Sequence, residues 1–241
     1  MTVCFLHFLY IYLKLYLANA EYEKRVIEMK RRKLFLAIFF LGAFLLWTVM
    51  VSTVDVQAVG PCSSRVGFAT LNTFFHSLTG VNLTLYLITD WLGLVPIGVA
   101  LGFAILGLVQ WIKRKRLVLV DFTILLLGGF YIAVAALYIF FEFLALNYRP
   151  VLISGYLEAS YPSSTTLLVA CVMPTSTMQI NSRIKSIALR RCVGFAVFAF
   201  VAFMVIGRII SGVHWITDIV GSALLSGGML ELYSWLAYKN G

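Results

Sequence analysis

The sequence predicts an all-α protein, a six-transmembrane-helix bundle, and three observations carry that expectation. Apolar residues make up 61% of the 241 and charged residues 12%, with a mean hydropathy of +0.95. That leaves too few polar groups to cover a soluble globule of this size. Several apolar runs reach the roughly 20 residues that a helix needs to cross a bilayer, and none alternates polar with apolar in the manner of an outer-membrane barrel strand.

Residues 1–28 differ from the rest of the chain: an aromatic-rich start, Phe5 to Leu17, precedes a charged stretch from Glu21 to Glu28. This N-terminal extension is expected to be a helix lying on the membrane surface, or the product of a start codon read too early. Met29-Lys30-Arg31-Arg32-Lys33 before the apolar run 34–54 begins as membrane proteins commonly do. The basic cluster follows the first apolar run, whereas a cleaved leader has it in front. Residues 29–241 are expected to form a single membrane-embedded domain, with spans at 34–54, 86–112, 117–141, 164–180, 193–211 and 215–237. Between the first two, residues 55–85 read as an extracytoplasmic loop with a short interfacial helix at 66–78. Asn82-Leu83-Thr84 matches a glycosylation triplet that is frequent by chance. The small residues between Gly221 and Gly228 suit close helix packing.

Orientation follows from charge. Lys30 to Lys33, Lys113 to Arg116, the basic residues of 183–191 and Lys239 fall on one side if six spans alternate, which places both termini in the cytoplasm. The net charge of +9 is thus spent on topology determinants and gives no reason to expect nucleic acid. Cys4, Cys62, Cys171 and Cys192 show no metal-ligand spacing and no disulfide framework, and no metal or cofactor is expected. Asp90 and Asp121 read as interfacial residues near span ends.

On the outer side three basic residues remain, Arg65, Arg149 and Arg208, and the last two flank the stretches that carry chemistry. Ionisable side chains in membrane segments are tolerated chiefly where they face one another or a polar cavity. His214 and Asp218 are four apart, so a helix would put them on one face with the carboxylate within reach of the imidazole. Arg149 and Arg208 supply forked donors that fit a tetrahedral anion. Pro162, followed by Ser163, Ser164 and Thr165, opens the fourth span as a helix N-terminus with free amides and hydroxyls. Two arginines, a helix start and an aspartate-backed histidine describe phosphoryl transfer through a phosphohistidine.

These residues resemble the motifs of the type 2 phosphatidic acid phosphatase family (PAP2), membrane lipid phosphatases with six helices. The family carries Lys-x6-Arg-Pro, Pro-Ser-Gly-His and Ser-Arg-x5-His-x3-Asp. Arg208, His214 and Asp218 match the third at the right spacing, with Gly207 in place of serine; Pro162 and Ser163 match the second, and Arg149 and Pro150 the first. The resemblance covers residues 30–238 approximately. It implies that His214 attacks phosphorus, that Asp218 orients it, and that Arg149, Arg208 and Ser163, with Ser164 and Thr165 beside them, hold the phosphate at a metal-free site on the outer face. A bacterial plasma membrane is the expected location and a lipid of the outer leaflet the expected partner.

The departures are informative. Glu142 stands where the family has lysine, and Ser164-Thr165 where it has Gly-His. The family histidine protonates the departing oxygen, and general-acid help is typically worth about 10²–10⁴-fold. A diphosphate leaves as a weak base and needs less help, so a polyprenyl diphosphate such as undecaprenyl diphosphate is the expected substrate. Glu142 and His76 are candidate replacement acids; the plain readings are an arginine-pairing carboxylate and a loop histidine. Two other readings fit the altered motifs: an inactive phospholipid-binding protein, and a phosphotransferase that passes the group from His214 to an acceptor other than water.

Overall fold

A computed structural model describes residues 2–238, among which eight α-helices form: α1 (Thr2–Thr53), α2 (Ala69–Thr79), α3 (Leu83–Leu92), α4 (Leu94–Arg114), α5 (Phe122–Leu144), α6 (Ser164–Asn181), α7 (Ile187–Ile210) and α8 (Ile216–Tyr238). No strand forms among the described residues, only three isolated bridges within loops. Among the described residues five stretches are long and apolar enough to cross a membrane: Glu21–Thr53, Leu83–Arg114, Phe122–Leu144, Ile187–Ile210 and Ile216–Ala237.

The expected fourth span, 164–180, forms as α6 but does not share that apolar character. It is enclosed by α4, α5, α7 and α8, and Met178 is its one exposed residue. A helix covered by protein instead of lipid can carry polar groups if they are partnered. The Gln179 amide accordingly donates to the Tyr233 hydroxyl at 2.6 Å, and the Thr175 hydroxyl to the Cys171 carbonyl at 2.7 Å. The expected second span is two helices, α3 and α4, joined at Gly93. Pro96 has no N–H and its ring crowds the carbonyl four residues back, which interrupts the ladder there. The third begins later than expected, at Phe122, because 117–119 make a short 3-10 turn. The loop helix starts at Ala69, not at 66.

At its N-terminal side α1 continues without a break through residues 28 and 29. The Cys4 side chain and Lys239 lie outside what is described, and Cys62, Cys171 and Cys192 are free thiols. α1 packs along α8, where Gly228 admits the Leu41 backbone: a Cβ there would meet its nitrogen at 3.1 Å and its side chain at 2.7 Å.

The two ends of the bundle differ chemically. At one, Asp121 binds Arg114 at 2.9 Å and the Gln110 amide at 2.8 Å, with Arg183 at 3.9 Å, and Lys33 meets Glu231 at 3.7 Å. At the other, the start of α3 is locked to the α7–α8 turn. The Asn82 side chain caps Leu85 N–H at 2.9 Å while its backbone N–H donates to the Ser211 carbonyl at 2.9 Å. Gly212 makes this possible, because it has φ +64° and a Cβ there would lie 1.7 Å from the Gly80 carbonyl oxygen.

Candidate active site

His214 does not share a helix with Asp218. It lies in the turn before α8, and Asp218 occupies the first turn of that helix. The Asp218 carboxylate accepts the Trp215 N–H at 2.9 Å, the reciprocal half of a helix-capping arrangement. That bond curls the preceding residue over the carboxylate, with His214 Nδ1 at 3.7 Å from Asp218 Oδ2. The distance is beyond a hydrogen bond, so the two are neighbours within an ion-pair radius, reached by a capped turn and not by helical register. Both side chains are buried, and neither imidazole nitrogen has a hydrogen-bond partner among the described residues. Burial first, then the charges of Arg149 and Arg208, push the imidazole pKa well below its ordinary value. The ring is therefore neutral at neutral pH and its lone pair free.

Arg208, in the last turn of α7, is 1% exposed. Its Nη2 donates to Asp90 Oδ1 at 2.8 Å and to Thr165 Oγ1 at 2.5 Å. Its Nε and Nη1 have no partner among the described residues, and neither has Arg149 Nη1. Arg149 is ion-paired with Glu158 at 3.0 Å. The two guanidiniums converge on the Tyr86 ring of α3, with centroid distances of 5.7 Å for Arg149 and 4.9 Å for Arg208. An aromatic ring within reach of both cations offsets part of their repulsion.

Three tethers hold these parts in place. The Trp215 indole N–H donates to the Tyr148 carbonyl at 2.7 Å, which pins the Arg149 loop to the residue after His214. Ser163 N–H donates to the Asp218 carbonyl at 3.3 Å, and the Ser222 hydroxyl donates to the Ser163 carbonyl at 2.9 Å, so α6 and α8 start together. Asn72 of α2 donates to Thr217 Oγ1 at 3.0 Å and accepts from Thr217 N–H at 3.3 Å.

Of the residues that the sequence singles out, Arg149, Arg208, Ser163, His214 and Asp218 are brought together. The Ser163 side chain is fully buried and donates to Thr166 Oγ1 at 3.0 Å. Ser164 and Thr165 line a cavity of about 400 Å³ with Asp90 and Gly93. Glu142 is exposed on α5, within the electrostatic reach of Arg149 and Glu158. His76 has a buried, unpartnered Nε2 and its ring lies 5.6 Å from that of Trp215. It shares with His214 a cavity of about 10 Å³, room for about one water molecule.

A solved structure has the same architecture: the first transmembrane PAP2 type phosphatidylglycerolphosphate phosphatase from Bacillus subtilis, with a TM-score of 0.57 and 18% identity over 86% of this chain and 98% of that one. The chain has the PAP2 phosphatase fold. No family model and no curated protein matches its sequence. Within this PAP2 fold, glycine replaces the third motif's serine for a local reason. A Cβ on Gly207 would lie 2.7 Å from Thr89 Cγ2, so the Thr89 methyl has taken that space.

Sequence reasoning missed Tyr86 and undervalued Asp90. Tyr86 has no signal of its own, since aromatics at span ends are ordinary interfacial anchors. Asp90 had one: a carboxylate inside an apolar run needs a cation, and Arg208 lies on the same side of the predicted bundle.

Proposed function

We propose that the protein is a membrane lipid phosphatase that transfers the phosphoryl group of a lipid phosphate or diphosphate to His214 and then to water. The observation that carries this reading is the set of unsatisfied donors. Arg149 Nη1 and Arg208 Nε and Nη1 are buried without partners near a neutral imidazole. Buried guanidinium donors left open are costly, and a phosphate would satisfy them. Asp218 lies toward Nδ1, which leaves Nε2 as the attacking atom. The arginines hold the equatorial oxygens while negative charge moves from the ester oxygen, the type of stabilisation that dominates such reactions.

The substrate class follows from chemistry and surroundings. The cavity beside Arg208 has apolar walls, among them Ile97, Val134 and Leu168, and these same residues border a larger groove of about 650 Å³ between α4 and α5. A hydrocarbon tail suits such walls. With threonine at 165 in place of an acid, a lipid diphosphate is the easier substrate unless another residue supplies the proton. The lysines and arginines at the opposite end favour an active site that opens outward.

Phosphate release by the purified protein from lipid monophosphates and diphosphates in mixed micelles is the test, with His214→Ala as control. Turnover that disappears in His214→Ala, with an acid-labile phosphorylated intermediate in the parent protein, is expected. Full activity of His214→Ala would overturn the reading. Binding of the lipids with no phosphate release would point to a phospholipid-binding protein.

A further inference from the structure

We infer that Asp90 donates the proton to the departing lipid oxygen, the task left open by threonine at 165; the inference rests on the phosphatase reading above. Arg208 Nη2 bonds both Asp90 Oδ1 at 2.8 Å and Thr165 Oγ1 at 2.5 Å. The carboxylate and residue 165 thus meet at one nitrogen. Both line a cavity whose apolar walls, Ile97, Val134 and Leu168, also border the larger groove. A lipid whose phosphorus faces His214 and whose tail enters that groove carries its bridging oxygen past these two side chains.

The other acids of the neighbourhood are less well placed. Glu142 does not border this cavity. His76 borders a different one, which it shares with the ring of His214. A proton given there would arrive at the nucleophile and not at the leaving group. The Thr165, Ser164 and Tyr138 hydroxyls do border the right cavity but are weak acids near neutral pH. Asp90 has a side chain 54% exposed, so one carboxyl oxygen can face the substrate while Oδ1 stays on Arg208.

The proton balance is simple. A phosphate monoester arrives partly as its monoanion, since its second pKa is near 6, and it passes its proton to the carboxylate. The carboxyl relays that proton from the phosphate to the departing oxygen. As the His214 Nε2 lone pair forms the N–P bond, the P–O bond to the lipid breaks and Asp90 protonates the released oxygen. The Asp90 carboxylate then takes a proton from the water that attacks phosphohistidine, the P–N bond breaks, and the imidazole recovers its lone pair.

The experiment uses Asp90→Asn, which still offers Arg208 an oxygen but has no proton to give. Three substrates are compared in the full-length protein: a lipid monophosphate, the diphosphate with the same tail, and p-nitrophenyl phosphate. For Asp90→Asn, kcat is expected to fall about 10²–10⁴-fold on the lipid monophosphate. The loss should be under about tenfold on the two substrates whose leaving groups are weak bases. Asp90→Glu should regain monophosphate turnover. If Asp90 merely positions Arg208, all three substrates lose alike and chiefly through KM, and that pattern, or no loss at all, overturns the inference. A parent protein inactive on all three substrates sinks the phosphatase reading itself, a result distinct from unselective loss in Asp90→Asn.

Discussion

Replacing Asp218 separately by asparagine and by alanine divides its two roles, because one carboxylate both caps α8 and faces His214. The side chain is fully buried and accepts the Trp215 N–H at 2.9 Å. Alanine leaves that N–H buried without a partner, a cost of about 1–3 kcal/mol, and removes the group that faces Nδ1. Asparagine retains a carbonyl oxygen for Trp215 and so keeps most of the cap. It has no negative charge, however, to stabilise the imidazole as it becomes phosphorylated. Asp218→Asn is therefore expected to melt within about 1 kcal/mol equivalent of the parent while losing on the order of 10²–10⁴ in kcat. Asp218→Ala is expected to lose both stability and activity. Thermal unfolding of the detergent-solubilised protein, run beside phosphate release from a lipid phosphate, measures the two quantities. An active Asp218→Asn would refute the orienting role, and an Asp218→Asn as unstable as Asp218→Ala would refute the capping argument.

Acid should destabilise the protein through His214. The unfolded chain takes up a proton near the ordinary value of about 6.5 and the buried ring does so only well below it, so this group costs no stability above that pH and increasingly more as pH falls beneath it; unfolding titrations of the parent and His214→Asn would differ in slope there. By the same shift, an acidic limb of the kcat/KM profile due to His214 falls below about 6.5, and a limb at or above that value assigned to this residue would contradict the burial. Gly207→Ser, which restores the family residue, should destabilise by about 1–3 kcal/mol because its Cβ meets Thr89 Cγ2 at 2.7 Å. Adding Thr89→Ser removes the methyl and keeps the hydroxyl bonds to the Leu85 and Tyr86 carbonyls, so the double variant should recover most of the loss; strict additivity in unfolding measurements would argue against the clash. Cys62 is exposed in the loop that joins α1 to α2. A membrane-impermeant maleimide should label it from outside intact cells, with the label lost in Cys62→Ser, and labelling only after permeabilisation would invert the proposed orientation.

Much of the fold was legible because a bilayer imposes a simple rule on a chain: apolar runs of sufficient length become helices, and basic residues gather at one end. The arginines, His214 and Asp218 could be singled out for the related reason that charge in an apolar setting needs a partner. Position 207 was readable as a departure from the motif but not as the consequence of Thr89, because that contact joins α3 to α7 and no spacing along the chain encodes it. Glu142 was a reasonable candidate on sequence, since it occupies the lysine position of the first motif. It borders neither the Thr165 cavity nor the one beside His214.

By itself the sequence determined the helical class, the approximate spans and the identity of the charged residues that need partners, because these follow from local composition and period. Only the tertiary structure decided which partner each charge has. Asp218 reaches His214 through a capped turn and not a shared helix, Arg208 is held between Asp90 and Thr165, and both guanidiniums lie near the Tyr86 ring. The α6 helix, expected as a span like the others, is instead enclosed by its neighbours. Such pairings depend on how helices distant in sequence pack, and short-range electrostatics acts only after that packing has brought the groups within a few ångströms.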